Sequence, residues 1–284
     1  MIGTIRSFLF VPADSESKLT KAKQVAADAL VLDWEDAVLP SNKSAARRLS
    51  RDFLSGFTDS TRPFVFIRCN PTTTSIFAED CSALDSMCPD AVVLSKCQSA
   101  DDVRLLSEVL DKADPMRRTR IYPQVESPTA LIGAFSIATS SPRLAGLFFG
   151  AEDFSAEMEI TRTPGEIELL YARSALVTAS RAAGLEAIDS PCMEWKDVDN
   201  LRAASQAARN LGFSGKLAIH PAQVPVINEI FVPSRSEIEH AHRVVSAFSS
   251  SGSGVLTVDG SMVDEAIVRR ARQILKRADG FRLG

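Results

Sequence analysis

Eight short apolar runs, spaced roughly 25 to 35 residues apart with helical periodicity between them, constrain this chain more than any other feature. They are residues 7–12, 29–33, 64–68, 91–95, 121–125, 145–149, 186–189 and 217–220. Strand alternating with helix is the rhythm of repeated βαβ units. The clearest helical interval is 164–183, where Leu169, Leu170, Ala172 and Leu176 fit one apolar face and Gly184 supplies a stop. Eight such units in about 220 residues predict an α/β protein, a (β/α)8 TIM barrel, against the alternative of an open doubly wound sheet.

Beyond the eighth unit the chain continues through helical segments at 236–248 and 262–278, joined by 249–254, a Ser/Gly stretch that reads as a flexible linker. The expected division is a catalytic barrel over 1–232 and a C-terminal helical extension over 233–284. Such an extension can contribute to an oligomer or fold over a site as a lid. Gly252 and Gly254 form a GxG with neither the preceding strand nor the third glycine of a dinucleotide site, so they belong to the linker.

Charge and cysteine content narrow the function classes. Lys and Arg number 32 against 36 Asp and Glu, a net charge of −4, and the sequence pI is about 5.5. With no long basic cluster, neutralising a nucleic-acid backbone is not expected. Cys69, Cys81, Cys88, Cys97 and Cys192 make neither a CxxC pair nor a zinc-finger spacing, and read as reduced thiols. The stretch 7–12 is too short for a signal-peptide core, and no apolar run approaches the roughly 20 residues that span a bilayer. The expectation is a cytoplasmic protein with no membrane or nucleic-acid partner.

In a parallel barrel the functional groups gather at the carboxyl ends of the strands, where the loops form one open face. Here the second run leads into Asp33-Trp34-Glu35-Asp36, the third into Arg68-Cys69-Asn70, the fourth into Lys96 and the fifth into Glu126. Glu152-Asp153, Asp189 and His220 follow the sixth, seventh and eighth. Glu126 and Asp153 are the candidate metal ligands: two carboxylates without a nearby thiol or imidazole make a hard oxygen site suited to Mg²⁺. The alternative is that both are helix N-terminal carboxylates favoured by the macrodipole. Arg68 offers a planar fork that can take a substrate carboxylate, or else pairs internally with Glu35 or Asp36. Those two acids are expected to bracket the metal site and orient its waters. His220 is a general base or a hydrogen-bonded structural group. His240 and His242, two apart on a helix, point to different sides and are not a metal pair.

Six segments carry a resemblance: 7–12 (SFLFVP), 32–38 (LDWEDAV), 67–70 (IRCN), 126–128 (ESP), 150–154 (GAEDF) and 262–264 (MVD). Together, and in order from residue 6 to about 278, they resemble the citrate lyase β-subunit-like family within the HpcH/HpaI aldolase and malyl-CoA lyase superfamily. The resemblance implies a TIM barrel, Mg²⁺, a CoA or carrier-bound thioester substrate, and a trimeric or hexameric assembly. It places Glu126 and Asp153 as metal ligands, Arg68 as the substrate-carboxylate clamp, and Asp264 as an acid/base reaching a neighbour's active site. Two positions depart from the family pattern: Ala13 stands where glycine is usual, and Ser95 stands where proline precedes the lysine.

The chemistry so implied is cleavage of a β-hydroxyacyl thioester of the citramalyl-CoA or malyl-CoA type. The hydroxyl loses a proton, the Cα–Cβ bond breaks, and a 2-oxo acid and a thioester enolate result. Arg68 holds the carboxylate, and Asp264 serves the α-carbon proton. A citryl-thioester lyase subunit, a malate synthase-like condensing thioesterase and a catalytically silent scaffold are the alternatives. Lys18, Lys21 and Lys23 read as a solvated helix face or as contacts for CoA phosphates.

Overall fold

The computed structural model describes residues 5–57, 62–163, 165–251 and 254–282. Eight parallel strands close into a barrel in sequence order: β1 (Ser7–Pro12), β2 (Ala29–Asp33), β3 (Phe64–Cys69), β4 (Ala91–Leu94), β5 (Arg120–Val125), β6 (Gly146–Phe149), β7 (Glu186–Asp189) and β8 (Gly215–Ala218). Helices fill the connections, as the spacing of the apolar runs predicts. The described residues divide into two compact units, 5–228 and those from Glu229 onward.

Aromatic rings pack together in the core of the first unit. Phe8, Phe66, Tyr122 and Phe148 come from β1, β3, β5 and β6, with ring centroids 5.0–6.2 Å apart. Burying one such ring contributes about 1.5–3 kcal/mol. The cluster requires Gly146, where a Cβ would lie 2.6 Å from the Tyr122 ring. The barrel closes where β1 meets β8, with Ser7 opposite Lys216 and Leu9 opposite Ala218. Gly215 belongs to this seam, since a Cβ there would come within 2.6 Å of the Arg6 carbonyl.

Local expectations change at several points. The eighth strand is Gly215–Ala218 rather than 217–220, because its second residue is a buried lysine that breaks the apolar run. Lys216 is accommodated by an ion pair with Asp189, its neighbour in register on β7, which also takes Arg173 Nε at 3.0 Å and Nη2 at 2.9 Å. In the interval 164–183, Pro164 lies outside the described residues; a 3₁₀ turn at Ile167–Leu169 precedes the helix Leu170–Ala182. Leu169, Ala172 and Leu176 are buried, but Leu170 is 42% exposed, one residue out of phase with the 3.6-residue period.

The second unit is two helices, Arg235–Ser251 and Glu265–Arg282, with a hairpin between them. Ser249, Ser250 and Ser251 are the last turn of the first helix, not linker, and their hydroxyls bond back to the carbonyls of Val245, Ser246 and Phe248. Gly252 and Ser253 lie outside the described residues. Strands β9 (Leu256–Val258) and β10 (Ser261–Val263) pair antiparallel across Asp259-Gly260, whose φ angles are +50° and +78°. Two positive φ values in a two-residue loop are the signature of a type I′ turn. Met262 therefore lies in a strand, and the second helix starts at Glu265 rather than 262. Val258 and Val263 of the hairpin pack with Ala241, Val244, Val268 and Ala271 of the helices.

Candidate active site

The carboxyl ends of β2 to β6 carry the groups that converge. Asp33 and Arg68 are opposite one another in register on β2 and β3, so strand pairing alone brings their side chains together. Arg68 donates from Nε to Asp33 Oδ1 at 2.7 Å and from Nη2 to Oδ2 at 2.5 Å. Its Nη1 lies 3.2 Å from Glu35 Oε2, and the guanidinium stacks 4.8 Å from the centre of the Phe10 ring. Burial works against the charge on Arg68, but Asp33 and Glu35 outweigh it and raise its pKa. The fork expected to be free for a substrate carboxylate is thus already engaged by Asp33 on two of its nitrogens.

Glu35 is 4% exposed. It accepts from Lys96 Nζ at 2.5 Å and from the Asp36 main-chain N–H at 2.8 Å. Burial pushes its carboxyl up, and Arg68 pulls against that. The Asp36 side chain is 56% exposed and takes Lys96 Nζ at 3.0 Å. Partial burial opposes its charge, yet hydrogen bonding with Glu35 and Lys96 brings its carboxyl below the usual range. Glu35 and Asp36 are therefore occupied by Lys96, a residue sequence reasoning placed at a strand end but gave no role. Lys43, buried on the helix Lys43–Ser55, fixes this loop from below by donating to Trp34 O at 2.7 Å, Glu35 O at 3.0 Å and Asn70 Oδ1 at 2.8 Å.

The other half of the mouth is built differently. Glu126 follows β5 and is 3% exposed. Its Oε1 accepts the Lys96 main-chain N–H at 2.6 Å and its Oε2 accepts Gln124 Nε2 at 2.5 Å. Asp153, in the first turn of the helix Ala151–Glu157, faces it. Burial first, and the Asp153 charge second, push the Glu126 carboxyl up to about 8. Gly150 makes room for this arrangement: a Cβ there would lie 2.4 Å from Glu126 Cβ and 2.5 Å from its Oε2. Among the described residues neither acid has a Lys or Arg within ion-pair distance. The Arg68 charge reaches Glu126 without pairing with it, and two facing carboxylates with no ion-paired partner suit a hard divalent cation. No group of three potential metal-ligating side chains forms among the described residues, so the pair leaves most of a coordination sphere to water or substrate oxygens.

The loop after β4 joins the two halves. Lys96 has φ +47°, a left-handed conformation that costs a non-glycine residue about 1–2 kcal/mol. On one side of it Ser95 Oγ donates to Cys69 O at 2.7 Å; on the other, Gln98 Oε1 accepts from Ser127 Oγ at 2.8 Å. Ser127 in turn caps the helix Pro128–Ile132 by accepting from the Ala130 N–H at 3.1 Å. Beside Glu35, Asp36 and Lys96 opens a pocket of about 580 Å³, walled by Leu39, Pro40 and Ile76.

The other residues singled out in the sequence make contacts of their own. His220 caps a short turn by accepting from the Ala222 N–H at 3.1 Å, and it stacks on Trp195 with ring centres 3.8 Å apart. Asp189 is consumed by Arg173 and Lys216. Asp264 lies in the second unit, where its Oδ1 caps the helix Glu265–Arg282 by accepting from the Ile267 N–H at 3.0 Å. His240 bonds Asp259 at 3.0 Å. Lys23 lies over the Phe53 and Phe57 rings. All five cysteines are free, and burial pushes the Cys97 thiol up to about 12.

Comparison with known proteins agrees with this fold. Residues 6–221 match the HpcH/HpaI aldolase/citrate lyase family, and residues 175–283 match the C–C bond lyases of the TIM-barrel fold. The chain is 34% identical to a (3S)-malyl-CoA thioesterase of Cereibacter sphaeroides, covering 97% of this chain and 95% of that protein. It is 31% identical to the citrate lyase β subunit of Leuconostoc mesenteroides, covering 98% and 94%. Among solved structures it resembles CitE of Mycobacterium tuberculosis in complex with magnesium, acetoacetate and coenzyme A, with a TM-score of 0.83 and 30% identity over 98% of this chain and 100% of that one. The chain belongs to the HpcH/HpaI aldolase/citrate lyase family and is a lyase of the TIM-barrel fold.

Proposed function

We propose that this protein is a Mg²⁺-dependent carbon–carbon lyase that cleaves a 3-hydroxydicarboxylyl-CoA thioester, of the citramalyl-CoA or malyl-CoA type, to acetyl-CoA and a 2-oxo acid. The observation that carries this reading is the facing Glu126–Asp153 pair, without an ion-paired partner, beside a buried arginine whose charge reaches Glu126. Mg²⁺ held by those two carboxylates supplies positive charge where the substrate oxygens become more negative. Arg68, aligned by Asp33, turns Nη1 from Glu35 to the substrate carboxylate as substrate binds and sets its register. The hydroxyl proton passes to water, its oxygen becomes the carbonyl of the 2-oxo acid as the Cα–Cβ electron pair passes to the thioester, and the enolate carbon then takes a proton from an acid. Asp264 serves that proton transfer from a neighbouring subunit of a homotrimer or hexamer.

The relatives support two neighbouring reactions as the named competitors. One is thioester hydrolysis, as in the malyl-CoA thioesterase; the other is citryl-thioester cleavage, as in the citrate lyase β subunit. No helix of the described residues is long and apolar enough to cross a membrane, and five free thiols suit the reducing cytoplasm. The deciding experiment incubates pyruvate, glyoxylate and oxaloacetate with acetyl-CoA or propionyl-CoA and Mg²⁺, followed by mass spectrometry. A 3-hydroxydicarboxylyl-CoA product supports the lyase. Free hydroxy acid and CoA would show the thioesterase instead, and no product with any pair would refute both.

A further inference from the structure

Glu152 and Asp153 are consecutive acids in the first turn of the helix Ala151–Glu157, yet their side chains go different ways. Asp153 faces Glu126, while Glu152 Oε1 accepts from Arg162 Nη1 at 2.5 Å. Among the described residues no third acid joins the Glu126–Asp153 pair. Facing carboxylates repel once both are ionised, and Gly150 gives this seven-residue helix no side-chain cap. A tie elsewhere has to keep Asp153 in place before a cation arrives. We propose that Arg162 is a positioning residue: by tying Glu152 to a series of ion pairs rooted in the barrel, it holds the turn that presents Asp153 to Glu126. The inference rests on the metal-binding reading of that acid pair and adds the device that keeps the pair in register.

The ion pairs run inward from an exposed end to a buried one. The Glu152 side chain is 54% exposed, and those of Arg162 and Glu166 are 25% and 20% exposed. Arg162 Nη2 donates to Glu166 Oε1, and Glu166 Oε2 accepts from Arg173 Nη1 at 3.4 Å. Arg173 forks onto both oxygens of Asp189, which also takes Lys216. Arg173, Asp189 and Lys216 are all buried, so the inner end cannot shift without unpairing charges in the core. Glu166 adopts φ +53°, which glycine would reach without strain. An acid in this position is explained by its two oxygens, each taken by an arginine. The outer pair is half-exposed and adds little to global stability, so its effect falls on the placement of one turn rather than on the fold.

The test measures Mn²⁺ binding to metal-free wild type, Arg162→Met, Arg162→Lys and Glu152→Gln, with hydrogen–deuterium exchange over residues 150–158 in the same proteins. The sign of the change is diagnostic. Removing a positive charge that pairs with the chain neighbour of Asp153 would by itself tighten cation binding, whereas losing the tie loosens it. Arg162→Met should therefore weaken Mn²⁺ binding about three- to tenfold. Exchange over 150–158 should quicken about threefold or more, while Tm moves by less than about 2 °C. Arg162→Lys keeps the charge but not the fork that bridges Glu152 and Glu166, and should recover part of the affinity. Unchanged or tighter binding in Arg162→Met, or unchanged exchange over 150–158, would overturn the assignment. If Arg162→Met does not fold, Glu152→Gln cuts the same tie from its other end: quickened exchange supports the assignment and wild-type exchange overturns it. If the wild-type protein binds no Mn²⁺, the metal-binding reading fails, and the exchange comparison still decides the tie.

Discussion

The two halves of the barrel mouth balance their charges in opposite ways. At the ends of β2, β3 and β4, three acids, Asp33, Glu35 and Asp36, are each ion-paired with one or both of two bases, Arg68 and Lys96. At the ends of β5 and β6, Glu126 and Asp153 face each other, and Glu126 receives only a main-chain N–H and an amide. A buried acid beside another acid is costly unless something neutralises it. The acids of the first half are thus ion-paired as folded. Those of the second are not, which is why the proposed function assigns the cation to them.

Changes on the β5–β6 side should break function most severely. Glu126→Gln keeps the shape and removes one metal-holding charge; turnover should fall on the order of 10³-fold, equivalent to about 4 kcal/mol. Metal-free stability should move the other way. Because the Glu126 carboxyl is pushed up to about 8 from 4.5, the native state holds this proton more tightly than the unfolded chain does. Its contribution is present below about pH 4.5 and is lost as pH rises towards 8. Metal-free Glu126→Gln should accordingly unfold at a higher temperature than wild type at pH 8, with the gap closing near pH 5. Equal melting curves at both pH values would show that Glu126 is not strained by its neighbour.

On the β2–β4 side the expected losses are smaller and graded by burial. Arg68→Lys cannot reproduce two parallel hydrogen bonds to Asp33, and kcat/KM should fall about 30- to 150-fold, or about 2–3 kcal/mol. Wild-type kcat/KM would make Arg68 a purely structural residue. Asp36→Asn removes a half-exposed partner of Lys96 whose pairing is screened by water. It should change kcat/KM by less than about threefold; a larger loss would promote Asp36 to a direct role.

Asp264 belongs to neither half, and its observed contact is a helix cap. Asp264→Asn should abolish exchange of the thioester α-proton yet leave Mn²⁺ binding intact. Mixing Asp264→Asn with Arg68→Ala subunits should restore part of the turnover if sites are shared between subunits. Verified mixed oligomers that stay inactive would refute that sharing.

What the sequence discloses follows from which forces are local. Strands such as Ser7–Pro12 and Ala29–Asp33 are legible because unbroken apolar runs have few alternatives. The eighth strand is displaced because the burial of Lys216 depends on Asp189, a partner 27 residues away. Asp259-Gly260 is a readable hairpin signal, yet the sequence reading gives 255–261 no element and begins the second helix at 262, inside the second hairpin strand. In the site, Glu126 and Asp153 stand out as acids at strand ends, whereas the engagement of Arg68 by Asp33 exists only once β2 and β3 pair in register. The contact of the Lys96 N–H with Glu126 depends on a left-handed backbone that no residue type announces.

The central claim is that Glu126 and Asp153 together hold a divalent cation, and a Mn²⁺ titration followed by electron paramagnetic resonance of the free ion tests it most directly. Metal-free wild-type protein should bind one Mn²⁺ per chain, displaceable by Mg²⁺, and both Glu126→Gln and Asp153→Asn should weaken that binding by at least about 10- to 100-fold. A double variant that folds and binds Mn²⁺ as tightly as wild type would contradict the account.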